Sequence, residues 1–173
     1  MTDIIADAVL CYVALGSNIG DAKQHFINAQ QALKSHPDIN KLKTSRFYSS
    51  KPHGPQDQPD YLNAVVSFET AMRAEELLDT LQNIENINGR EREKTERWGA
   101  RTLDLDILFY GDSVIQTTRL SIPHPRICER AFVVYPLADL VDDLNNLKIN
   151  KTTSLQDCID HLSDEERHNI ETL

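Results

Sequence analysis

Asp104 and Asp106 stand two residues apart in the run Arg97-Trp98-Gly99-Ala100-Arg101-Thr102-Leu103-Asp104-Leu105-Asp106. Leu103, Leu105, Ile107 and Phe109 alternate there with Asp104, Asp106, Leu108 and Tyr110. This alternation has the period of a β-strand and puts both carboxylates on one face. Side chains at i and i+2 of a strand lie about 6.6 Å apart, and paired metal ions in phosphoryl-transfer sites lie about 4 Å apart. Two carboxylates so spaced can hold a pair of divalent cations, with arginines beside them to take phosphate oxygens. An Asp-x-Asp pair alone reads as a solvated strand face; Trp98, Arg97 and Arg101 turn the reading toward a site.

Charge is distributed in the same sense. The chain of 173 residues carries a formal net charge of −9, which argues against a nucleic-acid partner. Yet Arg90, Arg92, Lys94, Arg97, Arg101, Arg119, Arg126 and Arg130 gather in one stretch. A local basic patch on an acidic protein suits a small polyanion, although Glu91, Glu93 and Glu96 are placed to pair with some of these groups on a solvated surface. The length suits one domain over residues 1–173. No apolar run is long enough to cross a membrane, and Met-Thr-Asp-Ile-Ile-Ala-Asp does not begin like a secretory signal. Cys11, Cys128 and Cys158 are widely spaced, which predicts neither a disulfide framework nor a zinc site. A reducing, cytoplasmic setting fits, with Cys11 in the core. No obligatory protein partner is evident.

The elements that must position these groups follow from periodicity. Val9 to Leu15 reads as a buried strand, and Gly16 to Asp21 as a mainly structural turn into a helix that Asp21 caps. Ala22, Phe26, Ala29 and Leu33 recur at helical spacing, and Pro37 marks the stop. Lys43 to Ser50 reads as a second strand, Pro52 to Pro59 as a loop, and Tyr61 to Phe68 as a third strand with Tyr61 and Asn63 on one face. Ala74 to Ile87 is an amphipathic helix ended by Gly89, with Gln82 and Glu85 on a common side. A polar loop over 90–100 precedes a fourth strand, Thr102 to Tyr110. Val114-Ile115 begins a short hairpin, and Ser121 to Pro125 is a stiff loop. A helix over 130–141 is interrupted or restarts at Pro136, and a last one covers Leu155 to Leu162, capped by Ser154. The order strand, helix, strand, strand, helix, strand predicts an α+β, ferredoxin-like fold, an antiparallel sheet with helices packed against it. Its other face, or its loops, would carry the site.

Several segments together resemble the 6-hydroxymethyl-7,8-dihydropterin pyrophosphokinases of folate biosynthesis. They are Leu15-Gly16-Ser17-Asn18, Gly54 through Asn63, Glu96-Arg97-Trp98-Gly99, Arg101 through Ile107, and Pro123-His124-Pro125. The resemblance implies a transferase that moves pyrophosphate from ATP to the pterin, giving the pterin diphosphate and AMP. It implies ATP as co-substrate and two Mg2+ ions on Asp104 and Asp106. Arg90 and Arg101 would neutralise charge on the transferred group. Arg92, His124 and Arg130 would contact phosphates or order the loop, and Gln82, Glu85, Ile107, Arg119 and Ser121 would line the adenosine pocket. Tyr61, Asn63, Trp98 and Phe132, with Ser50 and His53, would hold the pterin, a flat heterocycle suited to aromatic faces and an amide. On periodicity alone, Phe132 and Ile107 read as core residues. The chain departs from the family at Ser50-Lys51-Pro52-His53, where Thr-Pro is frequent, and in a 90–97 loop one residue longer than the short bacterial form. The resemblance also implies that the 90–100 loop closes over the ligands and that ATP helps to form the pterin site.

Overall fold

In a computed structural model the described residues are 7–90 and 99–173. β1 (Val9–Ser17) places Cys11, Val13 and Leu15 inward on one face. α1 (Ala22–Ser35) starts where the Asp21 carboxylate accepts from Gln24 N at 3.0 Å, and it buries Phe26, Ala29 and Leu33. β2 (Ile39–Thr44), β3 (Tyr48–Ser50) and β4 (Tyr61–Thr70) follow. α2 (Ala74–Ile87) matches the predicted range and buries Leu77, Leu78, Leu81 and Ile84. β5 (Asp104–Tyr110) completes the pattern.

β1 lies at the centre, antiparallel to both β4 and β5. β4 pairs in turn with β2 and β3, again antiparallel. This is the ferredoxin-like arrangement, with α1 and α2 covering one face through a continuous apolar core. The opposite face is not left open. α3 (Ala131–Ala138) and α4 (Leu155–Asp160) pack Val133, Val134, Leu137, Leu155 and Cys158 against Tyr12, Val65, Leu108 and Phe109. Pro136 sits inside α3 without ending it, so the predicted interruption or restart does not occur.

Three further expectations are corrected. The second strand is two strands, β2 and β3, because Val65 N donates to the Ser45 hydroxyl at 2.9 Å, a side chain taking the place of a ladder carbonyl. A strand near the C-terminus, β8 (Ile170–Thr172), follows α5 (Asp164–His168) and adds to the outer edge of β3. It is too short to show a period. Cys128 and Cys158 are bonded as a disulfide. Folding brings α4 onto the turn at Ile127–Glu129, a proximity that their separation of 30 residues conceals. Cys11 is a free, buried thiol. The hairpin consists of β6 (Ile115–Gln116) and β7 (Ser121–Ile122).

Candidate active site

The register of the sheet assembles the site. Asp104 lies opposite Gly16, which lies opposite Asn63; Asp106 lies opposite Ala14, which lies opposite Val65. Asp104, Asp106, Ala14, Gly16, Tyr61 and Asn63 therefore share the face away from α1 and α2. The register shifts between Tyr12 and Val13 of β1, where β5 carries Leu108 as an extra residue, and Leu108 and Phe109 both join the second core.

Arg90 arrives from the end of α2 through a Schellman turn. Gly89 adopts φ +82, a region that suits glycine; Gly89 N bonds Asn86 O at 3.0 Å and Arg90 N bonds Glu85 O at 3.1 Å. The chain thereby folds back, and Arg90 Nη1 reaches Glu85 Oε1 at 2.6 Å and also donates to Asp104 Oδ1. Arg101 Nη1 donates to Asp104 Oδ2 at 2.5 Å. Arg90 Nε and Arg101 Nε are buried N–H groups without an acceptor among the described residues.

Electrostatics separate the two carboxylates. Burial works against ionising Asp104, but Arg90 and Arg101 outweigh it and hold its pKa below the usual range. Asp106 is pushed up to about 7 by burial and by the like charges of Asp104 and Glu85. His124 is lowered to about 4 by burial, with Arg130 adding to the effect. Its Nδ1 accepts from Arg126 N at 3.2 Å, which leaves Nε2 as the protonated nitrogen of a neutral ring.

Two clefts meet here. One of about 400 Å³ gathers Ser50, His53, Tyr61, Asn63, Arg90, Arg101, Asp104, Asp106, His124, Arg130 and Phe132. The other, about 270 Å³, gathers Gln82, Asp106, Ile107, Arg119, Ser121 and His124. Arg119 also pairs with Glu75 and Asp79 at the surface. Among the described residues selected from the sequence, Glu85 is the one that lines neither cleft. It is fully buried, accepting from Arg90 and from Leu105 N at 2.7 Å, so it lies beneath the site as a support for Arg90 and β5. Arg92 and Trp98, with most of the 90–100 loop, lie outside the described residues.

Three contributors escaped the sequence reading. Ala14 and Gly16 form part of the larger cleft because they are small; alternation along β1 held that signal. Asn18 joins two loops: its Nδ2 donates to Gln58 Oε1 at 3.0 Å and Pro59 O at 2.9 Å, and its Oδ1 accepts from Arg101 N at 2.8 Å. Tyr61 adds to that junction, its hydroxyl donating to Gly99 O at 2.9 Å.

Among the described residues no three His, Cys, Asp or Glu side chains form a metal-binding cluster, and no helix is long and apolar enough to cross a membrane. Over residues 12–142 the sequence matches the family described as 7,8-dihydro-6-hydroxymethylpterin-pyrophosphokinase. It is 48% identical over 136 residues to a 2-amino-4-hydroxy-6-hydroxymethyldihydropteridine pyrophosphokinase of Haemophilus influenzae, covering 79% of this chain and 84% of that one. The protein of the same name from Pseudomonas aeruginosa is 45% identical over 133 residues, covering 77% and 81%. The fold is similar to that of a Plasmodium falciparum HPPK-DHPS crystal structure, with a TM-score of 0.69 at 13% identity. That match covers 91% of this chain and 46% of the longer Plasmodium chain.

Proposed function

The chain belongs to the 7,8-dihydro-6-hydroxymethylpterin-pyrophosphokinase family, and on that premise we propose that it transfers the terminal diphosphate of ATP to 6-hydroxymethyl-7,8-dihydropterin in folate biosynthesis. The observation that carries the reading is the meeting of the two clefts at Asp106 and His124, beside Asp104, Arg90 and Arg101. The smaller cleft has the place of a nucleoside pocket and the larger one that of a pterin pocket. The reacting phosphates fall between them.

Asp104 and Asp106 suit magnesium. They are an oxygen-only pair, and magnesium retains water and takes phosphate oxygens instead of demanding a full protein cage. Once bound, two such ions would neutralise phosphate charge. The hydroxymethyl oxygen attacks the β-phosphorus in line, the bond from that phosphorus to the oxygen it shares with the α-phosphorus breaks, AMP leaves with that oxygen, and the hydroxyl proton is released to solvent. Arg90 and Arg101 bring cationic N–H groups to the transferred diphosphate, which is how positioning and charge supply most of the catalysis in this class. Neutral His124 offers an N–H to a phosphate oxygen. Tyr61, Asn63, Ser50, His53 and Phe132 orient the pterin, with Trp98 and Arg92 brought in by the 90–100 loop. Residues 1–173 act as one domain, without a nucleic-acid, membrane or obligatory protein partner.

The test is AMP release from ATP with magnesium and the pterin, each omitted in turn. AMP formed only when all three are present is the expected result. A folded protein that forms none would overturn the reading.

A further inference from the structure

The family match ends at residue 142, yet the chain beyond it returns to the site and is anchored there. Leu155, Cys158 and Leu162 enter the second core, Cys158 is bonded to Cys128, and Lys51 N donates to Asn169 O at 3.1 Å. Between these anchors stands Glu166 of α5, its side chain only 15% exposed. One carboxylate oxygen accepts from Ala131 N at 2.9 Å. The other lies 3.1 Å from His53 Nε2.

His53 lines the larger cleft, and Ala131 stands between Arg130 and Phe132, which line it too. Ala131 opens α3 between Arg130 and Phe132, and Arg130 makes no side-chain cap of its own. The first amides of a helix lack intrahelical acceptors, and a carboxylate there satisfies one of them and favours the helix dipole. His53 meets Phe132 edge-on, with ring centroids 5.2 Å apart. Without Glu166, only the edge-on contact with Phe132 would hold His53 on its proline- and glycine-rich loop, and the substrate would bear more of the cost of ordering it.

We propose that Glu166 is a positioning residue for the pterin. Its carboxylate ties His53 and the start of α3 together, so that His53 and Phe132 form one preformed wall. This rests on assigning the larger cleft to the pterin.

Steady-state transfer by the full chain tests it, with KM read separately for each substrate. Glu166→Ala raises the pterin KM about tenfold and leaves the ATP KM and kcat within about twofold. Glu166→Gln recovers most of the loss, since its amide oxygen can accept from Ala131 N and its amide N–H can donate to His53. Glu166→Asp, one methylene shorter, behaves like the alanine variant. In a His53→Ala background, Glu166→Ala gives a smaller further rise, the coupling expected of residues in contact. A folded Glu166→Ala protein with an unchanged pterin KM, or with both KM values raised alike, overturns the proposal. Should the alanine variant not fold, equal pterin KM values for Glu166→Gln and Glu166→Asp overturn it. A parent protein that forms no AMP refutes the proposed reaction instead, and calorimetry of pterin binding to the parent and Glu166→Ala then decides the role of Glu166: weaker binding supports it and equal binding overturns it.

Discussion

On one face of β1, Cys11, Val13 and Leu15 are buried under α1 and α2. On the other, Tyr12, Ala14 and Gly16 diminish in size toward the Asp104 end, from the second core into the larger cleft. The same strands thus build a filled layer and a tapering one. The difference teaches that the cleft is made by the sizes of side chains on a rigid sheet as much as by loops around it. A site held on strands keeps its geometry while its loops change.

That comparison can be broken at several points. The largest effect is expected at Asp104→Ala, which removes the carboxylate shared by Arg90 and Arg101: AMP formation falls about a thousandfold while the circular dichroism spectrum is retained. Normal turnover in that variant would remove Asp104 from the chemistry. Phe26→Ala, on the filled face, should do the converse. It costs about 3 kcal/mol or more in urea unfolding and leaves kcat unchanged for the folded fraction. A kcat that falls in step with stability would show that the two faces are not independent.

The second face is held partly by a polar tie, and this gives a pH signature. Asp139, at the end of α3, accepts from Arg46 N and its guanidinium and from the Tyr48 hydroxyl at 2.9 Å. Burial opposes its ionisation, but these hydrogen bonds prevail and its pKa is lowered. Because the folded pKa is depressed, the stabilisation is complete above the unfolded value near 3.8 and is lost as pH falls through the lower folded value. Asp139→Asn should cost about 1 kcal/mol at neutral pH, and the gap between variant and parent in urea midpoints should close in strong acid. A gap independent of pH would mean that ionisation of Asp139 contributes nothing. The smallest effect belongs to Gly16→Ala. An added Cβ would meet Tyr61, Asn63 and Asp104 at 3.9 to 4.0 Å, ordinary contact, so stability should change by no more than about 0.5 kcal/mol. A large loss would show that the taper is more exacting than these distances imply.

The predicted α2 range coincides with the observed helix because its apolar stripe is long and Gly89 ends it, and the paired carboxylates were legible because strand period fixes a face. Other features depended on partners distant in sequence. Ser45 interrupts a strand through its own hydroxyl, Cys128 meets Cys158 only after α4 docks, and Glu166 reaches His53 across most of the chain. Glu85 shows the same limit. Its place beside Gln82 on the helix surface was readable, but its burial under Arg90 depends on how the Gly89 turn folds back and on where β5 lies.

Asn18 carries a consequence for the order in which the molecule comes together. One small amide closes contacts spanning 41 residues to Pro59 and 83 residues to Arg101. Contacts so distant form only after the intervening loop entropy has been offset by other pairings. A partly folded chain with β1 and β4 zipped and α1 docked would already own much of its apolar interior, yet Arg101 would have no fixed address. Binding competence in this protein is a late property of the topology, acquired when the edge strand β5 arrives beside β1.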